Sequence, residues 1–127
     1  MKSITKLLYV CLLTGSITTL NAANPDLDKF TNDFVSALNA KNEQNFRRSY
    51  TGKGGKLHDA DVKSTAMINI ARACPKLPAP EIEALANDLV KALNAKNLQN
   101  FRREITGKGG KLHDADVVAA IKARCKE

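Results

Sequence analysis

Two groups of side chains in this sequence have the types and spacing for chemistry, and each group occurs twice. His58-Asp59-Ala60-Asp61 and His113-Asp114-Ala115-Asp116 set an imidazole beside two carboxylates, side chains that ligate metals or move protons. Just upstream, Arg47-Arg48 precedes Thr51-Gly52-Lys53-Gly54-Gly55-Lys56, and Arg102-Arg103 precedes Thr106-Gly107-Lys108-Gly109-Gly110-Lys111. Each of these gathers four cations around a glycine-rich loop whose backbone amides would be free, the ingredients of an anion site.

Neither group meets the requirements of a defined catalytic motif. The loop is not a phosphate-binding P-loop, which needs Gly-x-x-x-x-Gly-Lys followed by Ser or Thr. Asp59, Asp61, Asp114 and Asp116 also sit where a helix begins after each loop, and would repel an anion there. Adjacent residues on one short segment rarely aim at one ion, so His58, Asp61, His113 and Asp116 are weak metal candidates whose expected role is capping. Two copies would still bring two imidazoles together if they pair across a pseudo-twofold axis. Ser49, Thr51 and Thr106 lack a neighbouring base and a third orienting group, so no nucleophile is assigned. The expected anionic contact is therefore weak and runs through Arg47, Arg48, Lys53, Lys56, Arg102, Arg103, Lys108 and Lys111. No cofactor and no catalytic residue is expected.

The elements that must position these residues come from an internal repeat. Asn39 to Val62 and Asn94 to Val117 align at an offset of 55, and only Glu43/Leu98, Ser49/Glu104 and Tyr50/Ile105 differ over the 24 positions. Upstream, Pro25, Leu27, Phe30, Phe34 and Leu38 correspond to Pro80, Ile82, Leu85, Leu89 and Leu93, spaced to line one helical face. Proline suits the first helical position, and Asp26/Asp28 or Glu81/Glu83 suit the positive end of the dipole. Asn42 and Asn97 are candidate N-caps for a second helix carrying Phe46 and Tyr50, or Phe101 and Ile105, inward and the arginine pairs outward. One long bent helix through the same segment is the alternative. Three glycines in six residues must then break the helix. A last helix carries Val62, Ala66, Ile70 and Cys74, or Val117, Ile121 and Cys125. The cysteines stand 51 residues apart instead of 55, a deletion of about one helical turn that keeps them in phase.

No run alternates as a strand would, so the fold class is all-α. We expect two tandem homologous helical units, each of two to three short helices, packed into one small domain around Phe30, Phe34, Leu38, Phe46, Leu85, Leu89, Leu93 and Phe101. The units are residues 23–74 and 81–127, and residues 75–80, with Pro75, Pro78 and Pro80, form a stiff, extended linker.

Residues 1–22 read as a signal peptide: Lys2 and Lys6 precede the short apolar run Leu7 to Leu13, and cleavage is expected after Ala22, or one residue later after Ala23. That run falls short of the roughly 20 apolar residues that span a bilayer. Removing these residues, which carry no acid, lowers the net charge from +7 to +5. The location is then periplasmic or secreted, an oxidising compartment where Cys74 and Cys125 pair within the chain or bridge two chains as a disulfide-linked dimer. An intramolecular bridge would contribute about 4 kcal/mol by constraining the unfolded chain. The basic surface favours anionic partners, or another exported protein. The leading functional expectation is a non-enzymatic binding module with a weak anionic-ligand surface. The alternatives are a secreted toxin- or effector-like cationic protein and, third, a metal-dependent hydrolase built on the His/Asp groups.

Overall fold

Asn24 opens the first helix by accepting the amide of Leu27 at 3.1 Å, and Pro25 follows at the first helical position. The structure, a computed structural model, describes residues 24–125, so the expected signal peptide lies outside the described residues. Among them are six helices and no strand: α1 (Pro25–Leu38), α2 (Glu43–Thr51), α3 (Asp59–Ala73), α4 (Ala79–Leu93), α5 (Leu98–Thr106) and α6 (Asp114–Arg124). The fold is a small all-α domain.

Asn42 and Asn97 act as the expected N-caps, accepting the amides of Asn45 and Asn100 at 3.0 and 2.9 Å. Their extended backbone separates α1 from α2 and α4 from α5, which excludes one long bent helix. Two local expectations change. The proline-rich segment is a turn, closed by Leu77 N donating to Cys74 O at 3.0 Å, and is not extended. Pro80 lies one residue inside α4, because Ala79 has no side chain to cap with, as Asn24 does, and the helix starts one residue earlier after Pro78.

The core is built from α1, α3, α4 and α6, joined by Phe101 of α5. Phe30, Phe34, Leu38, Leu85, Leu89, Leu93 and Phe101 are buried as expected, together with Val62, Ala66, Ile70, Val117 and Ile121. Phe34 meets Phe30 edge-on with ring centroids 6.1 Å apart, and its other neighbour is Phe101 at 6.0 Å. Phe46 is only half-buried, stacked on Tyr50 at the rim with centroids 5.4 Å apart.

Polar contacts fix the helix directions. Asn24 Nδ2 at the start of α1 donates to Ala73 O at the end of α3 at 3.1 Å, and Lys122 near the end of α6 pairs with Asp28 at 2.8 Å. At the other end of α1, Asn39 Nδ2 donates to Asp114 at the start of α6 at 3.2 Å. Asn94, ending α4, likewise reaches Asp59 at the start of α3 at 3.3 Å. Thus α1 and α4 run one way while α3 and α6 run the other. Lys63 pairs with Glu83 at 2.9 Å, and this hydrogen bond and charge hold the Glu83 carboxyl below its ordinary pKa. Arg124 pairs with Asp88.

Cys74 and Cys125 form a disulfide within the chain, with Cα atoms 5.5 Å apart. Neither cysteine is left for a bridge between chains, so the disulfide-linked dimer is not supported. Each cysteine is the C-cap of its helix, and α6 has 11 residues where α3 has 15. The four-residue difference is about one turn, so shortening the helix leaves the thiol on the inward face. No described helix is long and apolar enough to cross a membrane.

Candidate functional site

The helix directions place both glycine-rich loops at one end of the bundle. Loop 52–58 leads into the start of α3 and loop 107–113 into the start of α6, where the ends of α1 and α4 also lie. The disulfide and the 75–77 turn lie at the opposite end.

Each loop is held by side chains of the helix before it. Gly52 and Gly107 end α2 and α5 in the left-handed conformation, at φ of 73° and 72°, donating their amides to Arg48 O and Arg103 O. Only glycine adopts that φ without strain. Thr51 Oγ1 donates to Arg47 O at 2.7 Å and accepts from Lys53 N at 3.2 Å, and Thr106 does the same in the second loop. The Gln44 amide pairs with both backbone groups of Leu57, donating to its carbonyl at 2.7 Å and accepting from its N–H at 3.0 Å. Gln99 repeats this on Leu112 at 2.7 and 2.9 Å. The buried Leu57 and Leu112 are thereby pinned, and their polar backbone groups are satisfied without a strand or helix.

The arginines were expected to face outward together, and the structure separates them. Arg47 Nη2 donates to Asp59 Oδ1 at 2.7 Å and Arg102 Nη2 to Asp114 Oδ1 at 2.8 Å, with side chains only 11% and 13% exposed. Each guanidinium lies in the angle between two helices, where burial requires a carboxylate partner. Arg48 and Arg103 are exposed, yet donate through Nε to the carbonyls of Gly55 and Gly110 at 2.9 Å, and through Nη1 to Asn45 and Asn100. All four guanidinium groups therefore hold the loop.

Of the loop amides expected to be free, those of Gly52 and Lys53 have intramolecular acceptors, as do Leu57 and His58 just beyond, whereas those of Gly54, Gly55 and Lys56 have none among the described residues. Asp61 Oδ2 accepts His58 N at 2.8 Å, and Asp116 takes His113 N at 2.7 Å, which is the capping role expected of them. The histidine side chains are exposed, with His113 Nδ1 4.0 Å from Asp116. Among the described residues no group of three or more His, Cys, Asp or Glu is placed to hold a metal ion.

Lysines are the charged side chains that the loops leave over. Lys53, Lys56, Lys108 and Lys111 are exposed, and so are Lys41 and Lys96 in the turns after α1 and α4 at the same end. Among the described residues none of these six ammonium groups takes part in an ion pair. Gln44, Gln99, Asn45 and Asn100 are structural residues that sequence reasoning missed. Their identity in both copies was the one signal available for them.

No family model, curated protein or solved structure matches the chain. The reading of this end of the molecule therefore rests on its own chemistry.

One asymmetry lies beside the first loop. Tyr50 stacks on Phe46 and accepts a hydrogen bond from Asn69 Nδ2 at 3.0 Å, and burial raises its hydroxyl pKa to about 12. Ile105 takes its place in the second copy and asks for no partner.

Proposed function

We propose that the chain is an exported, non-enzymatic binding module of two homologous helical units, residues 23–74 and 81–127, that offers a lysine-lined surface to anionic ligands. The observation that carries this reading is the location of both Lys-x-x-Lys loops at one end of the bundle, their arginines consumed by the scaffold and their lysines unpaired. An ordered loop that presents mobile point charges suits a partner with many negative charges and no fixed geometry.

Two units are supported by the shared offset of 55 and by reciprocal contacts, Asn39 to Asp114 and Asn94 to Asp59, in which the same position of each unit reaches the other. Units of about 50 residues are marginal alone, and exchanging contacts completes one core. Export is supported by residues 1–22 and by an intrachain disulfide buried against the core. Amino-terminal sequencing of the protein recovered from outside the cytoplasm checks this, with Ala23 or Asn24 as the expected first residue.

The binding test uses lysines, because replacing the arginines would loosen the loops themselves. Lys53→Gln, Lys56→Gln, Lys108→Gln and Lys111→Gln together should bring elution from heparin to markedly lower salt, with unchanged thermal stability. Unchanged elution rejects the reading.

A further inference from the structure

The arrangement of these charges also indicates the shape of the partner, on the premise that this end binds anions at all. Lys41, Lys53, Lys56, Lys96, Lys108 and Lys111 gather at the end of four helices and do not form a stripe along one side. A strand-like polymer is tracked by a groove or stripe, and single-stranded nucleic acid is also held by stacking on exposed aromatic rings. Among the described residues every phenylalanine and tyrosine ring is buried or half-buried, and the exposed rings are the small imidazoles of His58 and His113. The arginines that could recognise phosphate or sulfate in a fork are occupied by Asp59, Asp114 and loop carbonyls. What remains is six exposed, flexible cations at one end of the bundle, with side chains long enough to approach one anionic plane together.

A second, independent feature lies at this end. Leu98 opens α5, two residues after Lys96, and is one of only two large apolar side chains exposed among the described residues, at 36%. It occupies one of the three positions at which the repeat diverges, where the first copy has Glu43, 3.7 Å from Arg47. An apolar side chain among surface lysines fits an interface that is charged outside and apolar just below.

We propose that this end of the bundle docks flat on an anionic phospholipid surface, as a peripheral contact made by the six lysines with Leu98 entering the headgroup layer. No described helix is long and apolar enough to span the bilayer, so the contact stays at the interface. Each lysine near such a surface contributes about a fivefold change in partitioning at low ionic strength, fading as salt shortens the screening length.

Flotation with vesicles of phosphatidylcholine containing phosphatidylglycerol, against phosphatidylcholine alone, tests the proposal. Binding is expected only to the anionic vesicles, weakening steeply as salt rises. Lys56→Gln/Lys111→Gln should lose about 25-fold, two lysines' worth. Arg72→Gln/Lys76→Gln removes the same net charge from the opposite end and should change binding less than twofold. Leu98→Gln should weaken vesicle binding severalfold and leave heparin elution unchanged. Equal losses from the two double variants would show that net charge alone acts, and overturn end-on docking. Retention on heparin or DNA without vesicle binding overturns the lipid surface but keeps the anionic-ligand reading, whereas binding to none of the three overturns both.

Discussion

The two loop-bearing arms, α2 to the start of α3 and α5 to the start of α6, share a polar framework and differ beneath it. Gln44 and Gln99, Arg47 and Arg102, Arg48 and Arg103, and Thr51 and Thr106 make matching hydrogen bonds to within about 0.1 Å, and Arg102 adds one from Nη1 to Leu112 O at 3.4 Å. Below them, Phe101 reaches the core beside Phe34, whereas Phe46 stacks on Tyr50 at the rim. The difference separates two kinds of constraint. A loop whose backbone groups are satisfied by named side chains tolerates few substitutions, because losing one partner strands a buried donor or acceptor. A packed face accepts any apolar set of suitable volume. Much of the near-identity of residues 39–62 and 94–117 is thus what the loop needs to hold its own shape.

The largest effect should come from the bond that ties the ends of α3 and α6, which follow the two arms. Cys74→Ser/Cys125→Ser should lower unfolding stability by about 4 kcal/mol, read from denaturant midpoints, and should loosen the disulfide end before the loop end. Hydrogen exchange that rises first in the loops would contradict that order.

Next come the amide clamps. Gln44→Leu leaves both backbone groups of Leu57 unpaired, whereas Gln99→Leu strands the Leu112 N–H while Arg102 Nη1 still reaches the Leu112 carbonyl at 3.4 Å, and each should cost about 2 kcal/mol. The two losses should differ by no more than the extra Arg102 bond contributes, about 1 kcal/mol. A gap above about 1 kcal/mol would mean that the packing beneath the arms, and not the clamp, governs their stability.

Smaller still is the asymmetry at Tyr50. Tyr50→Phe strips the Asn69 amide of its acceptor and should cost about 1 kcal/mol. The Tyr50 hydroxyl keeps its proton in the folded state up to about 12, against an ordinary value of 10.0. The folded state therefore holds a proton that the unfolded chain has released. This contribution is full below pH 10 and is lost as pH rises from about 10 to about 12. Comparing wild type with Tyr50→Phe across that window isolates it, and parallel curves would refute it. Least of all, Lys53→Gln and Lys108→Gln should change stability by less than about 0.5 kcal/mol, because neither ammonium group has an intramolecular ion-pair partner among the described residues.

Much of the fold could be read from the sequence. Apolar residues at spacings of three and four marked α1 and α4, asparagine marked the starts of α2 and α5, and glycine marked their ends. These signals are local, set by backbone geometry and capping within a few residues. The linker was misread because proline content speaks to stiffness, while the turn is closed by Leu77 and Cys74. The candidate site was half legible. Its lysines were identified, yet Arg47 and Arg102 were assigned outward because their partners stand 12 residues on, across a loop whose path helical periodicity does not give.

By itself, the sequence determined the repeated segment, the glycine stops after α2 and α5, the inward phase of the two cysteines and the basic character of the loops, since each depends on neighbours in the chain. Tertiary structure alone decided that Cys74 meets Cys125, that the two loops share an end, and that lysines and not arginines are left unpaired there. Those outcomes depend on which helices run antiparallel and on which carboxylate a buried guanidinium meets, and both are settled only when α1 and α4 close against α3 and α6.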